Sequence, residues 1–166
     1  MVIAIVCCDI KWGIGKENKL LAKIPDDMRY FQNTTNEKIV VMGRKTWESL
    51  PIKPLPNRIN VIITSQKINN MDQCSFVNYE FAEALIKNKN SQTRDIVIIG
   101  GGQIYKAFLK YCDEVYVTKV YKEFDADTWF PDIDKMNMWE LYEKSDIKEY
   151  DGMQYQFIKY KRRDVL

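Results

Sequence analysis

The chain has 166 residues and a net charge of +2, with acidic and basic side chains interspersed along its length. That length fits one domain over residues 1–166, which is large enough to bury a core without disulfides or a structural metal. The charge is too weak to predict a nucleic-acid or membrane partner, and the absence of histidine excludes Ser-His-Asp catalysis and His-ligated metals. Chemistry must therefore come from carboxylates, hydroxyls or a bound cofactor.

The cysteine pattern indicates a reducing compartment. Cys7, Cys8, Cys74 and Cys112 include no pair with the spacing of a zinc site or a redox C-x-x-C motif. The first two lie in an apolar run, where cysteine behaves as a small buried hydrophobe. The apolar start is too short for a signal peptide, and no apolar stretch reaches membrane-spanning length. We therefore expect a cytoplasmic protein.

Strands and helices alternate through most of the chain. Apolar runs predict buried strands over Val2–Cys8, residues 38–42, Ile59–Ile63, residues 96–99 and Glu114–Val120. Helices are predicted from residue 25 to about 34, over residues 47–50 with Thr46 as cap, from about 81 to 88, and over residues 103–111. Residues 9–23 predict a mobile, lid-length loop, and Cys74–Val77 belongs to a polar connection.

The end of the chain has a different pattern. Residues 139–148 and 153–161 alternate with a period of two around Asp151 and Gly152, which predicts an antiparallel hairpin. The expected fold class is therefore α/β: a single-domain mixed, mainly parallel central sheet flanked by helices, with a C-terminal antiparallel hairpin. The basic residues 159–163 predict a solvated strand end rather than a nucleic-acid patch.

The first predicted helix carries a candidate functional acid. Proline at the first helical position and acids in the first turn both favour a helix start there. At about 100° per residue, Ile24, Met28 and Phe31 share one face, Asp27 projects beside them, and Asp26 points to solvent. A carboxylate on an apolar face costs free energy unless it is paired, so Asp27 is the candidate catalytic group. Two ordinary first-turn acids are the alternative from this stretch alone.

Two strand-to-helix turns are typical of phosphate sites. Residues 100–102 are three glycines, which let backbone N–H groups and a helix dipole meet a pyrophosphate, although their spacing lacks the Rossmann G-x-G-x-x-G pattern. Residues 43–46 place two cations and a hydroxyl at a second helix start, and Thr64 and Ser65 end another strand. Together these turns suit a molecule with separated phosphates, whereas each alone fits an ordinary turn as well.

With these motifs assembled, essentially the whole chain resembles the dihydrofolate reductase family. The spacing of that family's active-site signature is repeated by Gly15, Leu20, Asp27, Phe31 and Thr35. The segments at residues 41–49, 55–58, 99–105 and 127–131 follow in the family's order.

Three places depart from the family pattern. Leu21 and Ala22 stand where the family often has Pro-Trp, so the indole that would help hold a water near the pterin is absent. Ala126 replaces a common glycine, and Gln103 replaces an arginine that often lies near the cofactor phosphates. The resemblance therefore leaves that water in question but not the class of reaction.

The resemblance implies NADPH-dependent reduction of 7,8-dihydrofolate to 5,6,7,8-tetrahydrofolate, by hydride transfer to C6 and protonation at N5. Asp27 would be the catalytic residue, and Arg58 would pair with the glutamate α-carboxylate of the substrate. The implied substrate-binding residues are Ile5, Asp27, Met28, Phe31, Leu50, Leu55, Arg58, Ile99, Tyr105 and Thr118. The implied cofactor-binding residues are Cys7, Ile14, Gly15, Gly43, Arg44, Lys45, Thr46, Thr64, Ser65, Gln66, Ile99, Gly100, Gly101, Gly102, Gln103, Ile104 and Tyr105. In the family the Gly100–Gly101 peptide is cis.

Two alternatives remain open from the sequence. One is a relative of the same fold that reduces a ribosylated pyrimidine in riboflavin synthesis, and the other is a non-catalytic NADP-binding module. Asp27 and Arg58 discriminate against the second, because a nucleotide binder needs neither a buried acid nor an arginine placed for a carboxylate. We expect a monomer with dihydrofolate as its small-molecule partner, and no nucleic-acid, membrane or metal partner.

Overall fold

The structure is a computed structural model that describes residues 1–163. The strands are β1 (Val2–Cys8), β2 (Gly13–Gly15), β3 (Ile39–Gly43), β4 (Ile59–Ile63), β5 (Cys74–Val77), β6 (Ile96–Gly100), β7 (Glu114–Val120), β8 (Thr128–Trp129), β9 (Trp139–Lys144), β10 (Lys148–Tyr150) and β11 (Met153–Arg162). The helices are α1 (Pro25–Thr35), α2 (Arg44–Ser49), α3 (Tyr79–Lys87) and α4 (Gly102–Phe108). None of the helices in these residues is both long and apolar enough to cross a membrane.

A nine-stranded sheet organises the described residues, in the order β10-β11-β7-β1-β6-β3-β4-β5, with β9 beside β11. Pairing is parallel from β7 through β1, β6, β3 and β4 to β5. Only β11 introduces antiparallel pairing in this sheet, to β7, β9 and β10. The predicted fold class, a mixed and mainly parallel sheet with an antiparallel C-terminal edge, is confirmed.

The central strands are buried on both faces, as their continuous apolar runs predict. Val2, Ala4 and Val6 lie in the larger buried cluster, whereas Ile5 lies in a second cluster on the face that α1 covers. The parallel strands β1, β3, β4 and β6 end at the same edge of the sheet. In open parallel sheets this carboxyl edge is where ligands bind.

Three predictions about the middle of the chain are wrong in detail. Thr46 does not cap a helix over residues 47–50, because α2 already begins at Arg44 with Gly43 as its N-cap. The next helix, α3, begins two residues before the predicted residue 81, and the Asn78 side chain caps it by accepting the N–H of Phe81 at 2.8 Å. The segment predicted as a polar connection forms β5, which pairs in parallel with β4.

The later elements also differ from the prediction. Helix α4 stops at Phe108 and a 3-10 turn at Leu109–Tyr111 completes the segment. The predicted strand over residues 139–148 is interrupted at Ser145, whose N–H donates to the Phe157 carbonyl at 2.8 Å while its hydroxyl accepts the Phe157 N–H at 2.9 Å. One residue thus satisfies both backbone groups of Phe157, which breaks the ladder into β9 and β10. The predicted loop at residues 9–23 contains β2, which pairs with β8.

Candidate active site

A cavity of about 880 Å³ opens at the carboxyl edge of the sheet. It is bounded by the ends of β1, β3, β4 and β6 and by the starts of α2 and α4. Every predicted cofactor-binding residue lines it except Gln66, which is exposed and whose backbone N–H donates to the Thr64 hydroxyl at 3.0 Å. The structure therefore brings together the turns that the sequence suggested as phosphate sites.

The glycine turn after β6 has a shape that side chains would not allow. Gly100 has a φ of 122° and its peptide bond to Gly101 is cis, in agreement with the family resemblance. A Cβ atom on Gly102 would lie 2.5 Å from the Thr128 Cγ2 atom. The starts of α2 and α4 carry no side-chain cap hydrogen bond, which leaves backbone donors at both turns for an anion.

The cations beside the second turn differ in their partners. The Arg44 Nη1 atom donates to the Glu48 Oε1 atom at 2.7 Å, so part of its charge is neutralised within α2. Lys45 is exposed and makes no ion pair with any residue from 1 to 163. The hydroxyls of Thr46, Thr64 and Ser65 complete this wall of the cavity.

The donor set fits NADPH. The cations, hydroxyls and helix-start N–H groups of the cavity suit the separated phosphates of a phosphorylated dinucleotide. The cavity is also lined by the apolar Ile14 and Ile99 and by Tyr105, which suit a flat nicotinamide ring. Tyr105 is itself fixed, because its hydroxyl donates to the Ile5 carbonyl at 2.7 Å.

Asp27 lies beside this cavity and is held by a neighbouring strand. The Thr118 hydroxyl, on β7, donates to the Asp27 Oδ1 atom at 2.5 Å, and Thr118 is buried. Cys7, which lines the cavity, is the register partner of Thr118 across β1 and β7. Burial raises the pKa of Asp27, and the hydrogen bonds from Thr118 and Cys7 oppose that rise. The result is a carboxyl group suited to exchanging a proton near the cavity.

The predicted apolar contacts of the substrate mostly assemble on the same side. Ile5, Leu55 and Ile99 share one buried cluster, against which Phe31 and Leu50 pack. The placement of Met28 on a buried face is wrong, because the residue is 52% exposed. The other predicted members of that helix face, Ile24 and Phe31, do pack inward, so Met28 lies at the margin of the apolar stripe.

Arg58 is a buried cation without an anionic partner. It is 6% exposed, its Nε atom donates to the Pro56 carbonyl at 2.9 Å, and its Nη1 atom donates to the Thr35 hydroxyl at 3.0 Å. Burial lowers the pKa of the guanidinium, and no carboxylate within residues 1–163 forms an ion pair with it. A desolvated cation of this kind is suited to bind a carboxylate that arrives with a ligand.

Several features in and around the site were not predicted from the sequence. Asp26 was expected to point to solvent, but it accepts the Tyr155 hydroxyl at 2.9 Å. The cavity is also lined by residues with no predicted role: Val6, Asn18, Lys19, Leu20, Ser49, Ile63, Asn78, Tyr79, Glu80, Ala107 and Thr128. Asn78 had a usable signal, because asparagine is a common N-cap and an apolar-periodic segment follows it.

Comparisons with known proteins agree with this geometry. A family model described as "Dihydrofolate reductase" matches residues 1–162. The dihydrofolate reductase of Bacillus subtilis (strain 168) is 34% identical over 166 residues, which cover 99% of this chain and 96% of that protein. The Staphylococcus haemolyticus dihydrofolate reductase is 36% identical over 160 residues, which cover 95% of this chain and 93% of that protein.

A solved structure shares the fold. Dihydrofolate reductase from Enterococcus faecalis, complexed with NADP(H) and RAB-propyl, superposes with a TM-score of 0.86 and 29% identity, covering 99% of this chain and 97% of that one. The chain therefore belongs to the dihydrofolate reductase family and is an NADPH-dependent oxidoreductase that acts on dihydrofolate.

Proposed function

We propose that the chain reduces 7,8-dihydrofolate to 5,6,7,8-tetrahydrofolate with Asp27 as its catalytic acid. The observation that carries this assignment is a part-buried carboxyl group that is held by Thr118 and by Cys7, a residue that lines the cofactor cavity. The ionised carboxylate can accept hydrogen bonds from the amidine-like edge of the pterin and so orient the ring. Because burial raises the pKa of Asp27, the group also favours protonation of the bound pterin at N5.

Different residues of the cavity would bind different parts of NADPH. When bound, NADPH supplies the hydride for C6 of the pterin. Arg44, Lys45, Thr46, Thr64 and Ser65 would hold the adenosine phosphates, and the backbone of residues 101–103 would hold the pyrophosphate. The nicotinamide end would be enclosed by Cys7, Ile14, Gly15 and Tyr105. These apolar surfaces also exclude water from the reacting face.

Arg58 would bind the α-carboxylate of the glutamate tail. Its Nε and Nη1 atoms already have partners in Pro56 and Thr35, which orient the guanidinium plane. A carboxylate would supply the negative charge that the buried cation lacks among the described residues. Phe31, Leu50 and Leu55 would pack against the rings between this arginine and Asp27.

We also propose that the enzyme is a cytoplasmic monomer. All the residues assigned to both ligands lie in one chain, so no second copy is needed to complete the site. The four cysteines are free and three of them are buried, as suits a reducing compartment. Sedimentation equilibrium would check the monomer.

The proposed reaction is tested by following NADPH absorbance with the purified protein. We expect the absorbance to fall when dihydrofolate is added and to stay constant when either the protein or dihydrofolate is omitted. A protein that binds NADPH but leaves its absorbance unchanged in the presence of dihydrofolate would be a binding module, and the proposal would be wrong.

A further inference from the structure

The first turn of α1 is attached to β11 by Asp26. The Tyr155 hydroxyl donates to the Asp26 Oδ2 atom at 2.9 Å, and the Arg29 Nη2 atom lies 3.7 Å from Oδ1. Tyr155 is 4% exposed and shares a buried cluster with Val120 and with Ile24, the N-cap residue of α1. The carboxylate of Asp26 is therefore held in place rather than free in solvent.

Two adjacent strands hold two consecutive carboxylates. Tyr155 on β11 donates to Asp26, and Thr118 on β7 donates to Asp27. The two strands pair antiparallel, with Phe157 opposite Thr118. Phe157 in turn stacks on Tyr30 of α1 at 4.4 Å between ring centroids. This arrangement fixes the position of the Asp26 carboxylate relative to the carboxyl group of Asp27.

Asp26 differs from Asp27 in ways that separate their roles. Its side chain is 35% exposed and has a hydroxyl donor and a guanidinium as partners, both of which suit a negative charge. Burial is the main cause that raises the pKa of Asp27, the hydrogen bonds from Thr118 and Cys7 oppose it, and the charge of Asp26 adds a smaller rise. A charged carboxylate beside a protonatable one favours the proton on the second group.

We propose that Asp26, anchored by Tyr155 on the strand beside the one that holds Asp27, is a positioning residue that acts through the catalytic acid. This inference rests on the proposed function of Asp27. It assigns Asp26 no contact with substrate or cofactor. The residue instead extends the pH range over which Asp27 can supply or share a proton.

Other titratable groups near Asp27 do not compete with this role at neutral pH. Burial raises the pKa of Cys7 on β1 and of Tyr105 on α4, so both stay neutral. Burial likewise raises the pKa of Tyr30 on α1 and of Tyr155 on β11, each to about 12. Arg29 is the cation that faces this pair, through its contact with Asp26. Among the described residues, Asp26 is the carboxylate whose charge raises the pKa of Asp27.

The test is single-turnover hydride transfer across pH with NADPH and dihydrofolate, for wild type, Asp26→Asn, Tyr155→Phe and Arg29→Gln. Asp26→Asn keeps the shape and removes the charge, so its rate should begin to fall at a lower pH than that of wild type. We expect equal rates at acidic pH and a loss of about two- to fivefold at neutral pH. Tyr155→Phe releases the Asp26 carboxylate and should shift the profile in the same direction by less.

Arg29→Gln provides the control of opposite sign. It removes a positive charge from Asp26, so its profile should shift to higher pH, with a neutral-pH rate up to about twofold above wild type. Superimposable pH profiles for wild type and Asp26→Asn, or a loss in all three variants that does not depend on pH, would overturn the inference and leave the proposed function standing. A wild type without hydride transfer would contradict the proposed function itself.

Discussion

The two walls of the cleft are built in different ways. The cofactor wall consists of glycine turns, helix starts and partly exposed cations, all close together in their own segments of sequence. The proposed substrate wall consists of side chains held by distant neighbours, such as Asp27 by Thr118 and Arg58 by Thr35. A short motif can supply the hydrogen-bond donors that a phosphate needs. Proton transfer also depends on the orientation and burial of the acid, which are set by tertiary contacts.

The two arginines of the cleft illustrate the energetic side of this difference. Arg44 is paired with Glu48 in an i,i+4 contact near the surface, where such a pair contributes about 0.3–0.5 kcal/mol. Arg58 is 6% exposed and has only neutral acceptors among the described residues. Breaking the environment of a buried charge costs several times more than breaking a surface pair. Substitutions on the substrate wall should therefore have the larger effects.

The largest effect is expected for Asp27→Asn. The substitution keeps the shape and an acceptor for Thr118 but removes the group that favours protonation at N5. Hydride transfer at neutral pH should fall by orders of magnitude. Acid should partly restore the rate, because solvent then protonates dihydrofolate directly. Single-turnover hydride transfer across pH measures both parts of this expectation.

The thermal stability of Asp27→Asn distinguishes this loss of catalysis from damage to the fold. Burial raises the pKa of Asp27 above its value in the unfolded chain, so its contribution to stability is complete at low pH and is lost as pH rises through the folded value. The ionised acid therefore opposes folding at neutral pH, and Asp27→Asn should unfold at the same or a higher temperature. If the variant keeps near-normal turnover at neutral pH, or loses activity only because it unfolds, Asp27 is not the catalytic acid.

The cofactor wall was largely predictable because its information is local. The apolar runs located β1, β3, β4 and β6, and the parallel arrangement of such strands places their following turns at one edge. Glycine and cation patterns at those turns then indicated phosphate chemistry. Within this wall the differences concern Gln66, which does not line the cavity, and helix starts such as α2, where a strand leads directly into a helix without a polar cap.

The substrate wall was predictable in its residue types but not in its contacts. Helix periodicity selected Asp27, yet it misplaced Met28 and directed Asp26 to solvent. The partner of Asp26 lies 129 residues away, and contacts at that separation leave no periodic pattern in the sequence. The short pairing of β2 with β8 was missed for the same reason. Local patterns identify candidates, whereas tertiary packing decides which of them are held and buried.

A second, smaller effect on the substrate wall is expected for Arg58→Lys. Lysine keeps the charge but loses the planar fork, so it cannot both retain the contacts with Pro56 and Thr35 and bind a carboxylate through two hydrogen bonds. We expect the KM for dihydrofolate to rise at least about tenfold, since a charge-assisted hydrogen bond contributes roughly 1.5–3 kcal/mol. A pterin without the glutamate tail is the internal control, and its KM should change little. Equal weakening of both substrates would make Arg58 a structural residue.

The smallest effect is expected on the cofactor wall, for Lys45→Gln. NADPH carries a phosphate that NADH lacks, so the wild type should prefer NADPH at least about tenfold in kcat/KM through the combined contacts of this wall. Lys45 is exposed and solvent screens its charge, so its removal should lower kcat/KM for NADPH by about three- to tenfold and leave the value for NADH unchanged. The loss should become smaller as ionic strength increases, because salt screens the attraction between Lys45 and the phosphate in the wild type. Lys148→Gln, which changes an exposed lysine on the edge strand β10 that does not line the cavity, is the matched control and should leave both cofactors unaffected. If Lys45→Gln reduced activity with both cofactors equally, the lysine would stabilise α2 instead of binding the phosphate. The conclusion that local motifs form the cofactor wall would then be wrong.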